Sequence, residues 1–173
     1  MYQSQPKLIK IICLFSLFLF SALGMALDSD KNQPATLKAD NVKYNRDTNI
    51  GIYTGNVSIN QGTTVITANQ ITTYSDKQNH LIKAIAVGVP ATYQSIPQAN
   101  QGLLKASALT ITYFPAKNTV ILQGTASVTQ NNNVINGPWI SYNLKTGQMI
   151  TQQDQSHQQQ TTIIYQPKPG SSP

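Results

Sequence analysis

Apolar and polar residues alternate along most of the chain after residue 27, a pattern typical of β-strands with one buried face. The clearest run is residues 85–93, where Ile, Val, Val, Ala and Tyr occupy the odd positions. We expect these odd-numbered side chains to share one inward face. Pro90 lacks a backbone donor, so it predicts an edge position or a β-bulge within this strand.

Two further runs alternate in the same way, one from Leu109 to Tyr113 and one from Val120 to Val128. No stretch after residue 27 shows a convincing helical stripe, so the pattern predicts an all-β protein. Clusters of Asn, Asp, Gly, Lys and Gln separate the strands and predict turns. These clusters lie at residues 45–47, 61–62, 76–79, 116–118, 131–133 and 146–147.

Two short motifs recur along the chain. The first is an apolar residue, a small residue two positions later, an aliphatic residue three positions beyond it, and a nearby Tyr. Its copies begin at Leu37, Ile66, Leu104 and Ile135, which are 29 to 38 residues apart, a spacing found in repeat architectures. The second places a glycine before alternating apolar residues, at Gly55, Gly88 and Gly124. We expect the small residues to form corners where strands bend, giving an elongated β structure with a continuous apolar lining.

The first 26 residues have the layout of a secretory signal peptide. Two lysines precede an apolar run at residues 11–23, and small residues at 24–26 offer a cleavage site. The run is too short to span a bilayer, although an uncleaved anchor is the alternative interpretation. Cys13 lies too early in the run to be a lipoprotein cysteine. We therefore predict an exported single domain at residues 27–166, followed by a disordered tail at residues 167–173.

Charged residues are few, and they offer little material for catalysis. The chain has 12 Lys and Arg, six Asp and no Glu, for a net charge of +6. The positive charge is spread thinly, so it does not predict a nucleic-acid partner. The two histidines belong to no cluster with the spacing of metal ligands. The Asp residues occupy positions that are typical of turns. We expect no catalytic residue, no metal site and no cofactor, and an enzymatic function is the weakest hypothesis.

Residues 53–62, which read Tyr-Thr-Gly-Asn-Val-Ser-Ile-Asn-Gln-Gly, resemble the signature of the OstA-like (LptA) family of periplasmic lipopolysaccharide-transport proteins. Further matches, in the family's order, lie at residues 33–34, 66–69, 90–93, 116–124 and 161–164. The resemblance implies an open, slightly twisted, V-shaped antiparallel β-jellyroll of about sixteen strands. It also implies a carrier that binds lipopolysaccharide acyl chains between two sheets and self-associates head to tail. Its implied partners are an LptC-like inner-membrane protein and an LptD-like outer-membrane protein.

An open roll of this kind would leave a groove between apolar faces that cannot all pair. Alternation predicts which residues line this groove, and plain core packing is the alternative role for each of them. The expected groove residues are Leu37, Val57, Ile59, Ile66, Ile85, Val87, Val89, Tyr93, Ile111, Tyr113, Leu122 and Val128. The resemblance favours Leu37, Tyr93 and Tyr113 among them. Lysines on or beside strands could meet the anionic headgroup or could simply face solvent. These lysines are Lys38, Lys43, Lys83, Lys105 and Lys117.

The strand edges at residues 34–39 and 161–165 are expected to template strand addition by another chain. Two alternatives to a soluble carrier stay open from the sequence. The first is a membrane-anchored, LptC-like subunit, which would retain residues 1–26. The second is a structural β-filament or adhesion subunit whose apolar faces are all core.

Overall fold

Ten antiparallel strands make up the computed structural model, which describes residues 30–99, 101–153 and 160–166. The predicted signal segment and tail, with most of the Gln-rich stretch near residue 155, lie outside these residues. A single 3-10 turn, Asp30–Asn32, precedes the first strand of the described part. The strands are β1 (Thr36–Lys38), β2 (Asn41–Asn45), β3 (Ile50–Gln61), β4 (Thr64–Ser75), β5 (Leu81–Ser95), β6 (Leu104–Phe114), β7 (Thr119–Gln130), β8 (Asn133–Asn143), β9 (Met149–Gln152) and β10 (Thr162–Ile164).

Consecutive strands pair with one another from β3 to β8. At one edge β1 and β2 both pair with β3, and at the other edge β9 and β10 both pair with β8. The first and last strands do not pair, so the sheet is open. Each predicted turn cluster falls between two strands, which confirms those turns and the all-β antiparallel class.

Every long strand is interrupted near its middle by a register shift, and the shifts line up across the sheet. We call this alignment the bend line. It runs through or beside Gly55, Ala68, Gly88, Ala108, Gly124 and Pro138. The gap between β1 and β2 continues it at Ala39. The predicted small-residue corners are therefore confirmed, except that the corner of the third motif copy falls at Ala108 and not at Ala106.

The bend line divides the sheet into two layers. The first layer contains β1, β10 and the strand segments at residues 57–67, 91–107 and 126–136. The second contains β2, β9 and the segments at residues 50–54, 70–87, 110–123 and 139–143. Six long strands counted as two segments each, with four short strands, give sixteen segments in the described part, which accounts for the expected number.

Side-chain contacts show that the two layers face each other. The rings of Tyr93 in the first layer and Tyr113 in the second lie 5.9 Å apart. The Tyr142 hydroxyl, in the second layer, donates to Oε1 of Gln130 in the first at 3.1 Å. Val120, the partner of Tyr142, is ten residues from Gln130 on β7, which is about 33 Å along an unbent strand. The strands therefore fold back on themselves at the bend line.

The predicted inward face of residues 85–93 is wrong for its first half. Val87 is 44% exposed and Val89 is 88% exposed, whereas Ala84 and Ala86 are buried. Ile85 lies on the same outer face as Val87. The reason is the register shift between Val87 and Ala91, which adds a residue and exchanges the two faces of β5. Only Ala91 and Tyr93 point inward as expected.

Candidate functional site

Two unbroken rows of inward side chains, one in each layer, form an apolar interlayer groove. In each row, every residue is the cross-strand partner of the next. The members of the first row are Leu37, Ile59, Ile66, Tyr93, Ala106, Val128, Ile135 and Ile163. The members of the second row are Val42, Tyr53, Ile71, Ala86, Ile111, Leu122, Ile140 and Thr151. Each row crosses eight strands, and the first row is apolar from one edge of the sheet to the other, whereas the second ends in Thr151 on β9.

Nine of the twelve predicted groove residues lie between the layers. Seven are buried, and Leu37 and Ile59 are partly buried and pack against the core. The seven are Val57, Ile66, Tyr93, Ile111, Tyr113, Leu122 and Val128. Ile85, Val87 and Val89 are the exceptions because they lie on the outer face. The structure thus brings the predicted set together, and their contact with a ligand stays a prediction.

Both ends of the groove carry exposed inward side chains that alternation alone did not single out. Val42 and Tyr44 are 58% and 48% exposed at the β2 end, and Ile163 is 66% exposed at the β10 end. Val42 and Tyr44 belong to the first copy of the repeat motif, so the motif was the signal that could have identified them. The groove is therefore covered at its centre and uncovered at its ends.

A cavity of about 430 Å³ opens between the layers on the edge opposite the bend line, where the turns of the two layers meet. We call this edge the mouth. Tyr93 and Tyr113 lie at the base of the cavity, and the buried Thr64 and Ser95 add hydroxyl groups to its wall. The Tyr93 hydroxyl donates to Ser95 Oγ at 3.0 Å. The mouth is therefore more polar than the interior that it leads to.

Burial raises the pKa of the tyrosines between the layers, so they stay protonated well above neutral pH. Loss of solvent raises the pKa of Tyr93 and of Tyr113, and the nearby Asp30 carboxylate raises both further. Burial also raises the pKa of Tyr142, against a smaller lowering by its hydrogen bond with Gln130. These phenols can therefore donate hydrogen bonds at neutral pH but cannot supply negative charge.

Asp30 ties the N-terminal 3-10 turn to the lip of the mouth. Its carboxylate accepts hydrogen bonds from the Thr63 backbone N–H at 2.9 Å and from the Thr63 hydroxyl at 2.6 Å. The Thr64 hydroxyl donates to the same carboxylate at 3.1 Å. Gly62 makes this approach feasible, because a Cβ there would lie 2.0 Å from Asp30 Oδ1.

The lysines expected near the headgroup mostly lie elsewhere. Lys38, Lys43, Lys83 and Lys105 lie on the outer faces of the layers, at positions that alternate with inward residues. Lys83 places its Nζ 4.3 Å from the Tyr74 ring centre. Lys117 lies in the β6–β7 turn over Phe114. The lysine that lines the mouth is Lys145, which sequence reasoning missed because it lies in a turn with no strand pattern.

Within residues 30–99, 101–153 and 160–166, no group of three or more His, Cys, Asp or Glu side chains could hold a metal ion. None of the helical structure in this part of the chain is long and apolar enough to cross a membrane.

The chain is similar in sequence to known proteins of lipopolysaccharide transport. The protein-family model described as "LptA/(LptD N-terminal domain) LPS transport protein" matches residues 36–148. The lipopolysaccharide export system protein LptH of Pseudomonas aeruginosa is 32% identical over 153 residues, covering 86% of this chain and 87% of the relative. LptA of Haemophilus influenzae is 31% identical over 143 residues, covering 81% and 82% of the two chains. LptA of Escherichia coli K12 is 27% identical over 164 residues, covering 94% and 88%.

A solved structure agrees with the sequence relatives. The crystal structure of P. aeruginosa LptH, described as the LptA homologous periplasmic component of the lipopolysaccharide transport device, superposes with a TM-score of 0.74 at 30% identity. The match covers 80% of this chain and 99% of the LptH chain.

Proposed function

Since the chain belongs to the LptA/LptD N-terminal domain family of lipopolysaccharide transport proteins, we propose that it carries lipopolysaccharide by holding the acyl chains between its two layers. The protein is a component of lipopolysaccharide export and a transport protein, not an enzyme. We further infer that it works in the periplasm, after removal of a signal peptide at about residue 26. The homology to the periplasmic protein LptH supports that location.

The observation that carries the proposal is the pair of rows that cross the whole sheet, one ending at the exposed Val42 on β2 and the other at the exposed Ile163 on β10. Each CH₂ group moved from water into such a lining contributes about 0.8 kcal/mol. Acyl chains therefore need only a continuous apolar surface and no specific polar contact. A core built solely for stability would have no need to continue to exposed residues such as Val42 and Ile163.

The open edges supply the assembly surfaces of this proposal. Strand direction alternates across the sheet, so β10 of one copy can pair antiparallel with β1 of the next without a break. Placing Ile163 opposite Leu37, and Thr151 opposite Val42, would continue both rows through the junction, with Thr151 as a polar member of the second row. By the same geometry an LptC-like protein would add at β1 and β2, and an LptD-like protein at β9 and β10.

Site-specific photocrosslinking in cells tests lipid binding. A photoreactive side chain at Leu37 or Tyr93 should capture lipopolysaccharide, because both positions lie in the first apolar row. The matched control is Thr92, which neighbours Tyr93 but lies on the outer face, where its hydroxyl is 2.6 Å from that of Thr67. Capture at Thr92 and not at Leu37 or Tyr93 would contradict the proposal.

The N-terminus separates a soluble carrier from an anchored subunit. N-terminal sequencing of the protein recovered from the periplasm should begin near residue 27. Retention of residues 1–26 in the mature protein would instead favour the LptC-like alternative.

A further inference from the structure

The centre of the groove is packed too tightly to hold acyl chains in this conformation. Ile71, Leu122 and Ile140 are 0% exposed, which means that no space the size of a water molecule adjoins them. The cavity at the mouth, about 430 Å³, falls near the low end of the range of about 300–1,000 Å³ that is typical of small-ligand pockets, and its wall is partly polar. A lipid with several acyl chains therefore requires the two layers to move apart.

The two long edges of the folded sheet resist that movement differently. At the bend line the layers are joined by the covalent backbone of six continuous strands. At the mouth, no described backbone ladder joins the layers, since β-pairing runs only between neighbours along the sheet. Separation of the layers must therefore begin at the mouth, with the bend line as its axis.

Two glutamines make hydrogen bonds across the mouth. Oε1 of Gln130, in the first layer, accepts the hydroxyl of Tyr142 in the second at 3.1 Å. Nε2 of Gln130 also donates to the Gly102 carbonyl at 3.1 Å, so this side chain links β7, β8 and the β5–β6 loop. Gln98, from that same loop, donates through Nε2 to the carbonyl of Lys145 in the β8–β9 turn. We call these two contacts the glutamine clasp.

The bend line has the backbone freedom that a hinge needs. Gly55 and Gly124 both have φ of +77°, a conformation that glycine adopts at little cost. The register shifts also leave residues between Gln123 and Ala126 without ladder partners. Rotation at these points therefore disturbs few of the hydrogen bonds that hold each layer together.

We propose that the mouth is a lateral gate, held shut by the glutamine clasp and hinged at the bend line, through which acyl chains enter the groove from the side. This inference rests on the proposed lipid-carrying function and adds a route of entry to it. Both contacts of the clasp join neutral groups, so the clasp can break and re-form without separating opposite charges.

A reversible cross-link across the mouth tests the gate. Gln98→Cys and Lys145→Cys are combined in the full chain, with Cys13→Ala to remove the native cysteine, and joined by a short, reducible bis-methanethiosulfonate reagent. Binding of purified lipopolysaccharide should be lost in the linked protein and restored by dithiothreitol. Because the same molecule is measured before and after reduction, misfolding cannot imitate this result.

The matched control places the cross-link within one layer. Thr67→Cys and Thr92→Cys lie on neighbouring strands of the first layer, with native hydroxyls 2.6 Å apart on the outer face. Linking them should leave lipopolysaccharide binding unchanged.

A second variant, Tyr142→Phe, keeps the ring but removes the hydroxyl group that donates to Gln130. This variant should load lipopolysaccharide faster than the unmodified chain.

The outcomes separate the gate from the carrier function. If the protein linked at 98 and 145 binds lipopolysaccharide as fast as the reduced protein, the gate is refuted while the carrier function stands. If neither the reduced protein nor the unmodified chain binds lipopolysaccharide, the carrier function fails and the gate fails with it.

Discussion

At the scale of single residues, burial separates the groove positions that stabilise the fold from those that do not. Leu122 has no exposed area and belongs to the buried core cluster, whereas Val89, predicted by the same alternation, is 88% exposed. We expect Leu122→Ala to lower the free energy of unfolding by about 2–5 kcal/mol, because it leaves a cavity. Val89→Ala should change it by no more than about 0.5 kcal/mol. Urea unfolding of both variants measures the difference, and equal effects would contradict the assignment of faces.

A second residue-scale prediction concerns the β4–β5 turn. The Asp76 carboxylate accepts the backbone N–H groups of His80 at 2.8 Å and Gln78 at 2.9 Å. The bond from the His80 backbone is the main cause that lowers the pKa of Asp76 below its usual 3.8. A lowered pKa stabilises the folded state above the unfolded value, and this stabilisation disappears as pH falls through the folded value.

We therefore expect Asp76→Ala to lower the urea midpoint at pH 7, and the difference from the unmodified chain to shrink below pH 3.8. Asp47→Ala is the control, because Asn45 Oδ1 caps that turn through the N–H groups of Asp47 and Thr48. Asp47→Ala should leave the urea midpoint at pH 7 close to that of the unmodified chain, because the contacts that cap its turn come from Asn45. A difference for Asp76→Ala that persists unchanged at low pH would rule out the charged carboxylate as its source.

At the scale of strands, the bend line depends on residues that tolerate both positive φ and close neighbours. Gly55 has φ of +77°, and a Cβ there would lie 2.3 Å from Asp40 Oδ2. Gly147 also has positive φ, but its nearest neighbour would be 3.9 Å away. Gly147→Ala should therefore cost about 1–2 kcal/mol of stability from backbone strain alone. Gly55→Ala should cost more, and thermal unfolding that shows equal losses would argue against a crowded corner.

Much of the strand architecture could be predicted because it is encoded locally. Turn residues such as Asn45 and Gly147 mark strand ends, and the small residues Gly55, Ala68 and Gly124 mark corners. The face of a strand is less secure, because one extra residue at a corner inverts it. That is why alternation predicts the wrong face for Val87 and Val89. It predicts the correct face for Leu122 and Val128, because their strand keeps its phase across Gly124 and Thr125.

The mouth could not be predicted from the sequence for a different reason. Its contacts join residues far apart in the chain, such as Asp30 with Thr63 and Gln98 with Lys145. Each of these residues lies in a turn or loop, where polar side chains are expected in any case. Which turns meet is decided by how the two layers fold together, and alternation carries no information about that.

At the scale of the whole molecule, the open sheet presents two different edges. The β1–β2 edge and the β9–β10 edge are not the same surface, so contact between them is heterologous and does not close into a ring unless the rotation allows it. Both edges carry exposed apolar side chains that face the groove, including Tyr44 at one and Ile163 at the other. Association of this kind hides those side chains and lengthens the groove at the same time.

The faces of the last strand allow this assembly to be tested. Ile163 points into the groove opposite Ile135 and is 66% exposed, whereas Ile164 points outward opposite Val134 and is 50% exposed. Ile163→Asp would place a charge within the apolar row at the junction with the next copy's Leu37, so it should abolish concentration-dependent growth in mass measured by light scattering. Ile164→Asp places the same charge on the outer face and should weaken growth much less. Because both side chains are exposed in a single copy, both variants should keep the unmodified thermal midpoint. Equal loss of assembly in the two variants would show that the junction does not continue the apolar row.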